Sequence, residues 1–336
     1  TLLASSAASD VYKRQTYKKE EKMKLGIDMG GMSIKMGLVN EENEIIGRIT
    51  IPTDLTVPYQ MLVERMADAV QQMLENAGMT LEQCEGIGIG SPGTIDAKRG
   101  VILYSNNFGW ENVPIVEELK KHLDVGIEIA NDADAAALGE VYAGAAEGAE
   151  NAVLLTLGTG VGSGVILDKK IFRGGMPGGC ELGHLSIHHD GVRCTCGRKG
   201  CLEAYASASA LLRIAREKAA EHPESVMNEM CKNDLEQMNG KIPFDAAKAG
   251  DEAGMEVIKE YEGYLACGIA NVINTFRPEK VILGGGVAAQ KENLTAPLKD
   301  LVKDMCFGGS HGYIADIVTS ALGNDAGIIG AANLVV

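Results

Sequence analysis

The feature that most constrains this chain is a pair of glycine-rich turns, each lying between two short apolar runs. The first turn joins residues 24–28 to 34–39, and the second joins residues 152–157 to 164–167. Apolar runs of this length on either side of glycine predict two strands joined by a tight turn. Because the same strand-turn-strand pattern occurs in both halves of the chain, we expect one architectural unit used twice.

Strand and helix patterns alternate along the rest of the chain. Apolar residues at helical spacing predict a helix over 59–77 that Gly78 ends. Further segments follow: strands over 85–90, 125–130, 280–283 and 314–319, and helices over 131–146, about 207–230, about 254–274 and from Asp325. Strands that alternate with helices predict an α/β fold.

The composition excludes several classes of function. The chain has 31 Lys and Arg against 46 Asp and Glu, a formal charge of −15, which argues against a nucleic-acid partner. It contains no apolar run of about 18 residues, so we expect no membrane span. An acidic protein can hold an anionic ligand only through local donors, because the overall field repels the ligand.

The glycine turns could supply such donors. Glycine lets backbone N–H groups approach a phosphate closely, so each turn could bind a nucleotide; a tight hairpin without a ligand is an equal alternative for either turn alone. Neither turn matches the Walker pattern or the dinucleotide-binding pattern. A third glycine run follows the strand predicted at 280–283.

The eight cysteines favour a metal site over a disulfide framework, and a reducing cytosol is the simplest setting for them. Cys194, Cys196 and Cys201 lie within eight residues and follow three histidines. Three thiolates with one imidazole form the closed tetrahedral set that is typical of structural zinc.

An Asn131-Asp132 pair stands between a predicted strand and an alanine-rich helix. Asn and Asp are common helix caps, and capping is the simplest interpretation of these two residues taken alone. A carboxylate at a helix N-terminus is also expected to stay ionised, because the helix dipole favours negative charge there.

Six motifs occur in a fixed order from Met23 to about Gly330. They are D-x-G-G, G-x-P-G, N-D, L-G-T-G-x-G, E-x-G-H and C-x-C-G-x-x-G-C-x-E. In this combination the chain resembles the ROK family (repressors, open reading frames and kinases), and within it the bacterial glucokinases. The resemblance implies an actin-like ATPase (ribonuclease H-like) α/β fold with two domains and a cleft between them.

The resemblance also implies a reaction and the residues that perform it. The reaction is ATP-dependent phosphorylation of a hexose, glucose first, with Mg²⁺ as cofactor, structural Zn²⁺, and Asp132 as the general base. Implied sugar contacts are Gly93, Asn106, Asn131, Asp132, Glu181, His184 and Glu203. Implied nucleotide and magnesium contacts are Asp28, Gly30, Gly31, Ser33, Lys35, Gly158, Thr159, Gly160, Gly162, Gly284, Gly285 and Gly286. Implied zinc ligands are His184, Cys194, Cys196 and Cys201, which leaves His188 and His189 on the surface.

We expect the chain to divide near residue 130. Residues 1–22 read as a non-native or disordered leader, since residues 5–15 match a translated sequencing adapter and Met23 is a natural start. Residues 23–130 would form a smaller domain, on which a C-terminal helix at about 322–336 packs back. Residues 131–321 would form a larger domain that carries the zinc loop, 184–201.

Met32 stands where the family usually has a threonine after the glycine pair, so Ser33 or backbone N–H groups must replace that contact. The alternatives are a kinase for N-acetylmannosamine, N-acetylglucosamine, mannose, fructose or allose, a non-catalytic sugar sensor, or a ROK-type regulator without its DNA-binding domain. Expected partners are a small sugar and a nucleotide, with no nucleic acid and no membrane. A cytoplasmic homo-oligomer, dimer or tetramer, is also expected.

Overall fold

The computed structural model describes residues 22–335, so the predicted leader lies, apart from Lys22, outside the described residues. The strands are β1 Met23–Met29, β2 Ser33–Val39, β3 Ile45–Pro52, β4 Cys84–Ser91, β5 Thr94–Asp96, β6 Val101–Ser105, β7 Trp110–Val113, β8 Ile127–Asn131, β9 Ala152–Leu157, β10 Val161–Leu167, β11 Lys170–Ile171, β12 Lys280–Gly284 and β13 Asp316–Thr319. The α-helices are α1 Tyr59–Ala77, α2 Ile115–Lys120, α3 Asp132–Ala143, α4 Glu203–Ala206, α5 Ala208–Glu221, α6 Val226–Met230, α7 Ile242–Lys248, α8 Glu252–Phe276, α9 Glu292–Met305 and α10 Ala326–Ala332.

Two five-stranded sheets carry the fold, in the orders β3-β2-β1-β4-β8 and β11-β10-β9-β12-β13. In the first sheet β1 pairs antiparallel with β2 and parallel with β4, and in the second β9 pairs antiparallel with β10 and parallel with β12. The expected double use of one strand-turn-strand unit is therefore confirmed. Each sheet buries its own apolar core, because α1 and α2 pack with the first and α5, α8 and α9 with the second.

Two helices cross closely between these layers. Gly139 of α3 faces the backbone of α10, and Gly330 of α10 lies directly against the Ala135 carbonyl of α3. On its other side α10 lies against β1 and β4, where Gly26 and Gly88 leave room for its backbone. Glycine is required at these positions because a Cβ would overlap a neighbouring carbonyl.

The structure corrects the predicted helix at about 207–230. That segment is broken between α5 and α6, where Pro223 interrupts the chain. Ser225 then caps α6 and donates a hydrogen bond to Asp251 (2.9 Å). The sequence analysis also missed the three-stranded sheet β5-β6-β7, and it missed α7 and α9. No helix in residues 22–335 is long and apolar enough to cross a membrane.

Two carboxyl groups are buried along α3, and only one is well satisfied. Glu140 accepts hydrogen bonds from the backbone N–H groups of Ala145, Ala321 and Leu322 (2.7–3.0 Å). Asp134 lies against Gly179, and within residues 22–335 its Oδ1 has no hydrogen-bond partner. Burial raises the pKa of Asp134 to about 7, although the positive charge of Arg173 opposes the shift.

The helix crossing predicts a large cost for Gly330→Ala. The new methyl group would overlap the Ala135 carbonyl, so the helices must separate, and we expect a loss of about 2–3 kcal/mol in the free energy of unfolding. Chemical denaturation measures this loss. Gly263→Ala in α8 is the matched control, because its Cβ meets open space and alanine favours a helix by about 0.5–1 kcal/mol. Equal stability of the two variants would contradict the packing argument.

Asp134 predicts a pH-dependent stability. Its folded-state pKa of about 7 lies above the ordinary value of 3.8, so the folded state retains a proton that the unfolded state releases, and stability falls as the pH rises towards 7. Asp134→Asn cannot ionise. Its stability relative to the unmodified chain should therefore grow by on the order of 3 kcal/mol between pH 5 and pH 7 and then level off. Denaturation curves across this range measure the difference, and a difference that stays constant with pH would contradict the role of Asp134.

Candidate active site

The ends of β1 and β8 and the start of α10 enclose a cavity of about 290 Å³. It is lined by Asp28, Lys35, Asp132, Ala133, Ala136, Thr156, Gly162, Gly323, Asn324, Ala326 and Gly327. The cavity therefore joins residues of both sheets and the turn before α10. Four residues implied by the family resemblance, Asp28, Lys35, Asp132 and Gly162, line it together.

Asp28 and Lys35 face each other across the first glycine turn, because β1 and β2 pair them directly. The Lys35 Nζ and Asp28 Oδ2 atoms are 3.8 Å apart. Burial raises the pKa of Asp28; Lys35 opposes this shift and the charge of Asp132 adds to it. This arrangement presents one ammonium and one carboxylate to a ligand in the cavity.

The first glycine turn is held by a residue that the sequence analysis missed. The Gly30 carbonyl accepts a hydrogen bond from Thr53 Oγ1 (2.6 Å), and the Met32 carbonyl accepts one from the Thr53 N–H (3.1 Å). Gly31 is exposed, and the Met32 side chain is 90% exposed, so the methionine does not fill the turn. Ser33 follows at the half-buried first position of β2. The position of Thr53 directly after an apolar strand was the available signal.

Asn131 and Asp132 have different roles at the start of α3. The Asn131 side chain caps the helix by accepting from the Ala133 N–H (2.8 Å), and it donates to the Gly93 carbonyl (3.1 Å). Asp132 also accepts from the Ala133 N–H (2.9 Å) while it lines the cavity. Burial raises the pKa of Asp132, and the hydrogen bonds that its carboxylate makes with the backbone and with Asn131 oppose this shift. Desolvation is the larger of these effects.

Gly93 and Asn106 lie on the other side of Asn131. Gly93 has φ +119°, and a Cβ there would overlap the Tyr104 carbonyl. Asn106 is exposed in the turn between β6 and β7 and accepts a hydrogen bond from the Tyr104 hydroxyl (3.4 Å). Gly93 is therefore joined directly to Asn131, whereas Asn106 is placed through the small sheet that the sequence analysis missed.

The second and third glycine turns meet each other. Gly285 has φ +80° and lies directly against the backbone of Leu157, where the second turn begins. The start of α5 holds the second turn, because the Ala208 N–H donates to the Gly158 carbonyl (2.8 Å) and Ser209 Oγ donates to the Thr159 carbonyl (2.9 Å). The turns contributed by β9, β10 and β12 thus form one surface of backbone groups beside the cavity.

The four implied metal ligands lie together. One donor atom each from His184, Cys194, Cys196 and Cys201 is within 4.8 Å of the others. The Cys196 and Cys201 sulfur atoms are 3.7 Å apart, and so are His184 Nδ1 and Cys194 Sγ. A tetrahedral zinc with Zn–S bonds of about 2.3 Å places its sulfur ligands about 3.8 Å apart. Both the donor set and its spacing therefore fit zinc.

Two carboxylates lie beside this metal cluster. Glu203 follows it at the start of α4; its Oε1 accepts from Thr195 Oγ1 (2.9 Å) and its Oε2 accepts from the Val161 N–H (3.1 Å). Glu181 is exposed directly before a single helical turn, Leu182–His184. Neither carboxylate lines the cavity described above. Glu203 lies instead against Gly160 and Val161 of the second glycine turn.

Comparison with known proteins adds independent information. The ROK family model matches residues 24–336. The glucokinase of Thermotoga maritima is 37% identical over 94% of this chain and 98% of its own length, and that of Halalkalibacterium halodurans is 36% identical over 93% and 94%. The crystal structure of a ROK family glucokinase from Streptomyces griseus in complex with glucose and AMPPNP superposes with a TM-score of 0.74, at 32% identity over 93% of this chain and 99% of that one.

These similarities confirm the fold class expected from the sequence, an α/β actin-like ATPase fold of two domains. The family model covers nearly all of the described residues, and the relatives match over almost their full length. The chain therefore belongs to the ROK family.

Proposed function

We propose that this chain is an ATP-dependent hexose kinase that converts glucose to glucose 6-phosphate. The observation that carries the proposal is the cavity in which Asp132 lies opposite Asp28 and Lys35, with glycine turns from both sheets beside it. Phosphoryl transfer needs positioning, charge neutralisation and an acceptor for one proton, and this cavity offers groups for each task. The glucokinase relatives and the neighbour bound to glucose and AMPPNP support the choice of substrate and donor.

Asp132 acts as the general base in this proposal. It accepts the proton of the sugar hydroxyl as that oxygen attacks the γ-phosphorus of ATP, and the bond from that phosphorus to the bridging oxygen breaks to release ADP. Because burial raises the pKa of Asp132, its carboxylate binds a proton more strongly than an exposed aspartate does.

The phosphate side is assigned to the glycine turns. The turn formed by Gly30, Gly31 and Ser33 approaches the phosphates from one sheet, and Lys35 supplies positive charge. The other sheet contributes Gly158, Thr159, Gly160, Gly162, Gly284, Gly285 and Gly286. Asp28 would hold Mg²⁺, since a carboxylate oxygen suits that ion, and bound Mg²⁺ neutralises phosphate charge. The exposed Met32 side chain does not cover this turn, in which the Gly30 N–H already donates to the Ser33 carbonyl (3.0 Å).

The sugar is assigned to the opposite wall of the cleft. Its hydroxyl groups would be bound by Gly93, Asn106, Asn131, Asp132, Glu181, His184 and Glu203. Carboxylates suit this task because they accept hydrogen bonds from hydroxyl groups, and such a site rejects a sugar that lacks one of them.

The same proposal covers the organisation of the chain. We divide it at about residue 130, with residues 322–336 packing back on the first domain, as α10 does on β1 and β4. Structural zinc is assigned to His184, Cys194, Cys196 and Cys201 in the loop 184–201. We also assign a cytoplasmic location and a homo-oligomeric assembly, a dimer or tetramer, which sedimentation analysis would test.

The base assignment predicts that Asp132→Asn lowers kcat on glucose by about 10²–10⁴-fold, because asparagine cannot accept the proton. A coupled ADP-release assay measures the rate, and calorimetry checks that glucose still binds. The substrate panel includes mannose, fructose, allose, N-acetylglucosamine and N-acetylmannosamine. An Asp132→Asn variant that keeps more than a tenth of the rate would contradict the base, and sugar binding without ADP release by the unmodified chain would favour a sensor.

The metal assignment predicts one zinc per chain and its loss in Cys196→Ser. This thiol is exposed, so the substitution removes a ligand at little cost in packing. Elemental analysis measures the zinc, and we expect a lower melting temperature for the variant because structural zinc contributes folding energy. Cys267→Ser, at a cysteine outside the cluster, should keep its zinc. Purified protein that lacks zinc, or a Cys196→Ser variant that retains it, would refute the site.

A further inference from the structure

Glu181 is held in place through its backbone. Its side chain is exposed, and in the described part of the chain it makes no hydrogen bond to another residue. The residue sits at φ −96° and ψ 67°, between an irregular loop and the short turn Leu182–His184. The two peptide groups next to Glu181 therefore fix the point on the backbone from which its side chain extends.

One side chain, Ser163 on β10, binds both of those peptide groups. Its hydroxyl donates to the Cys180 carbonyl (2.6 Å) and accepts from the Leu182 N–H (3.0 Å). Ser163 is buried, with 7% of its surface exposed, and it lies in regular register opposite Leu155 of β9. A rigid strand thus fixes the residues on either side of Glu181 through a single oxygen atom.

The same strand also fixes the second carboxylate. Val161, two residues before Ser163, donates its N–H to Glu203 Oε2 (3.1 Å), and its carbonyl lies directly against Gly183 in the turn after Glu181. β10 therefore contacts the segments that carry both Glu181 and Glu203. One strand thus holds the backbone around Glu181 and one carboxylate oxygen of Glu203.

We propose that Ser163 is a positioning residue for sugar binding: by binding the peptide groups on both sides of Glu181, it holds that carboxylate at the distance from Glu203 that a hexose requires. The inference rests on the proposed function, because it assumes that these carboxylates bind the sugar. Ser163 follows Gly162 of the second glycine turn, but its hydroxyl binds the peptide groups around Glu181, so loss of the hydroxyl should affect the sugar and not ATP.

The test compares Ser163→Ala with the unmodified kinase. The alanine variant keeps the strand but leaves the Cys180 carbonyl and the Leu182 N–H unpaired, so we expect the KM for the hexose to rise about tenfold. The value of kcat should change by less than about twofold, and the KM for ATP and the zinc content should stay unchanged. Ser163→Thr retains the hydroxyl and should restore the KM.

Ser225→Ala is the matched control. Ser225 is also buried, and its hydroxyl likewise donates one hydrogen bond, to Asp251, and accepts one, from the Met227 N–H. Its loss should lower stability without changing the KM for the hexose. A Ser163→Ala variant with an unchanged hexose KM, or a Ser163→Thr variant as impaired as Ser163→Ala, would overturn the proposal.

Amide hydrogen exchange separates this inference from the proposed function. Loss of the Ser163 hydroxyl should make the Leu182 amide exchange about tenfold faster, whether or not the chain is a kinase. Unchanged exchange at Leu182 would overturn the role of Ser163. An unmodified chain that phosphorylates no hexose would refute the proposed function, and hexose affinity from calorimetry would then decide the role of Ser163.

Discussion

The close crossing of α3 and α10 is the contact on which the rest of the cleft depends. α3 begins at Asp132, and α10 begins beside Asp28, where the Gly327 backbone lies next to the aspartate carboxylate. Because Gly139 and Gly330 let the helices meet backbone to backbone, the two ends that border the cavity are held at a fixed separation. A larger residue at the crossing would move Asp132 and Asp28 apart, although neither Gly139 nor Gly330 lines the cavity.

The molecule has an excess of negative charge, and local hydrogen-bond donors compensate it at particular sites. The chain carries a formal charge of −15, yet its proposed ligand, ATP, carries a negatively charged triphosphate. Glu140 shows how a buried carboxylate is accommodated, since backbone N–H groups surround it. The glycine turns and Lys35 offer the same kind of donor to a phosphate. Asp134 lacks full compensation, which is why its pKa rises to about 7.

Much of the fold was predictable because its signals are local. The glycine turns between apolar runs located both hairpins, and the helical period with Gly78 gave the bounds of α1. The three-stranded sheet was missed because its strands have three to five residues, too few to show a period. α9 was missed because Pro297 lies inside it, and the break after α5 was missed although Pro223 marks it.

The candidate site, like the fold, was only partly predictable from the sequence. Motif order identified four of the residues that line the cavity and the four clustered Cys and His side chains. The residues that hold these groups in place were not predicted, because they act through contacts between distant parts of the sequence. An example is the hydrogen bond from Thr53 to the first glycine turn. The raised pKa of Asp132 was also out of reach, because the helix terminus is visible in the sequence and the degree of burial is not.

The position of β10 explains how the loop 184–201 is joined to the second sheet. The loop 184–201 contains little regular structure, with two isolated bridges between Ser186 and Cys201 and between Arg193 and Lys199. Its link to the sheet runs through Glu203, which binds Thr195 of the loop and the N–H of Val161. A metal ion bound by the four clustered side chains would hold such a loop rigid. The strand and the loop both position Glu203, because Val161 binds one of its carboxylate oxygens and Thr195 binds the other.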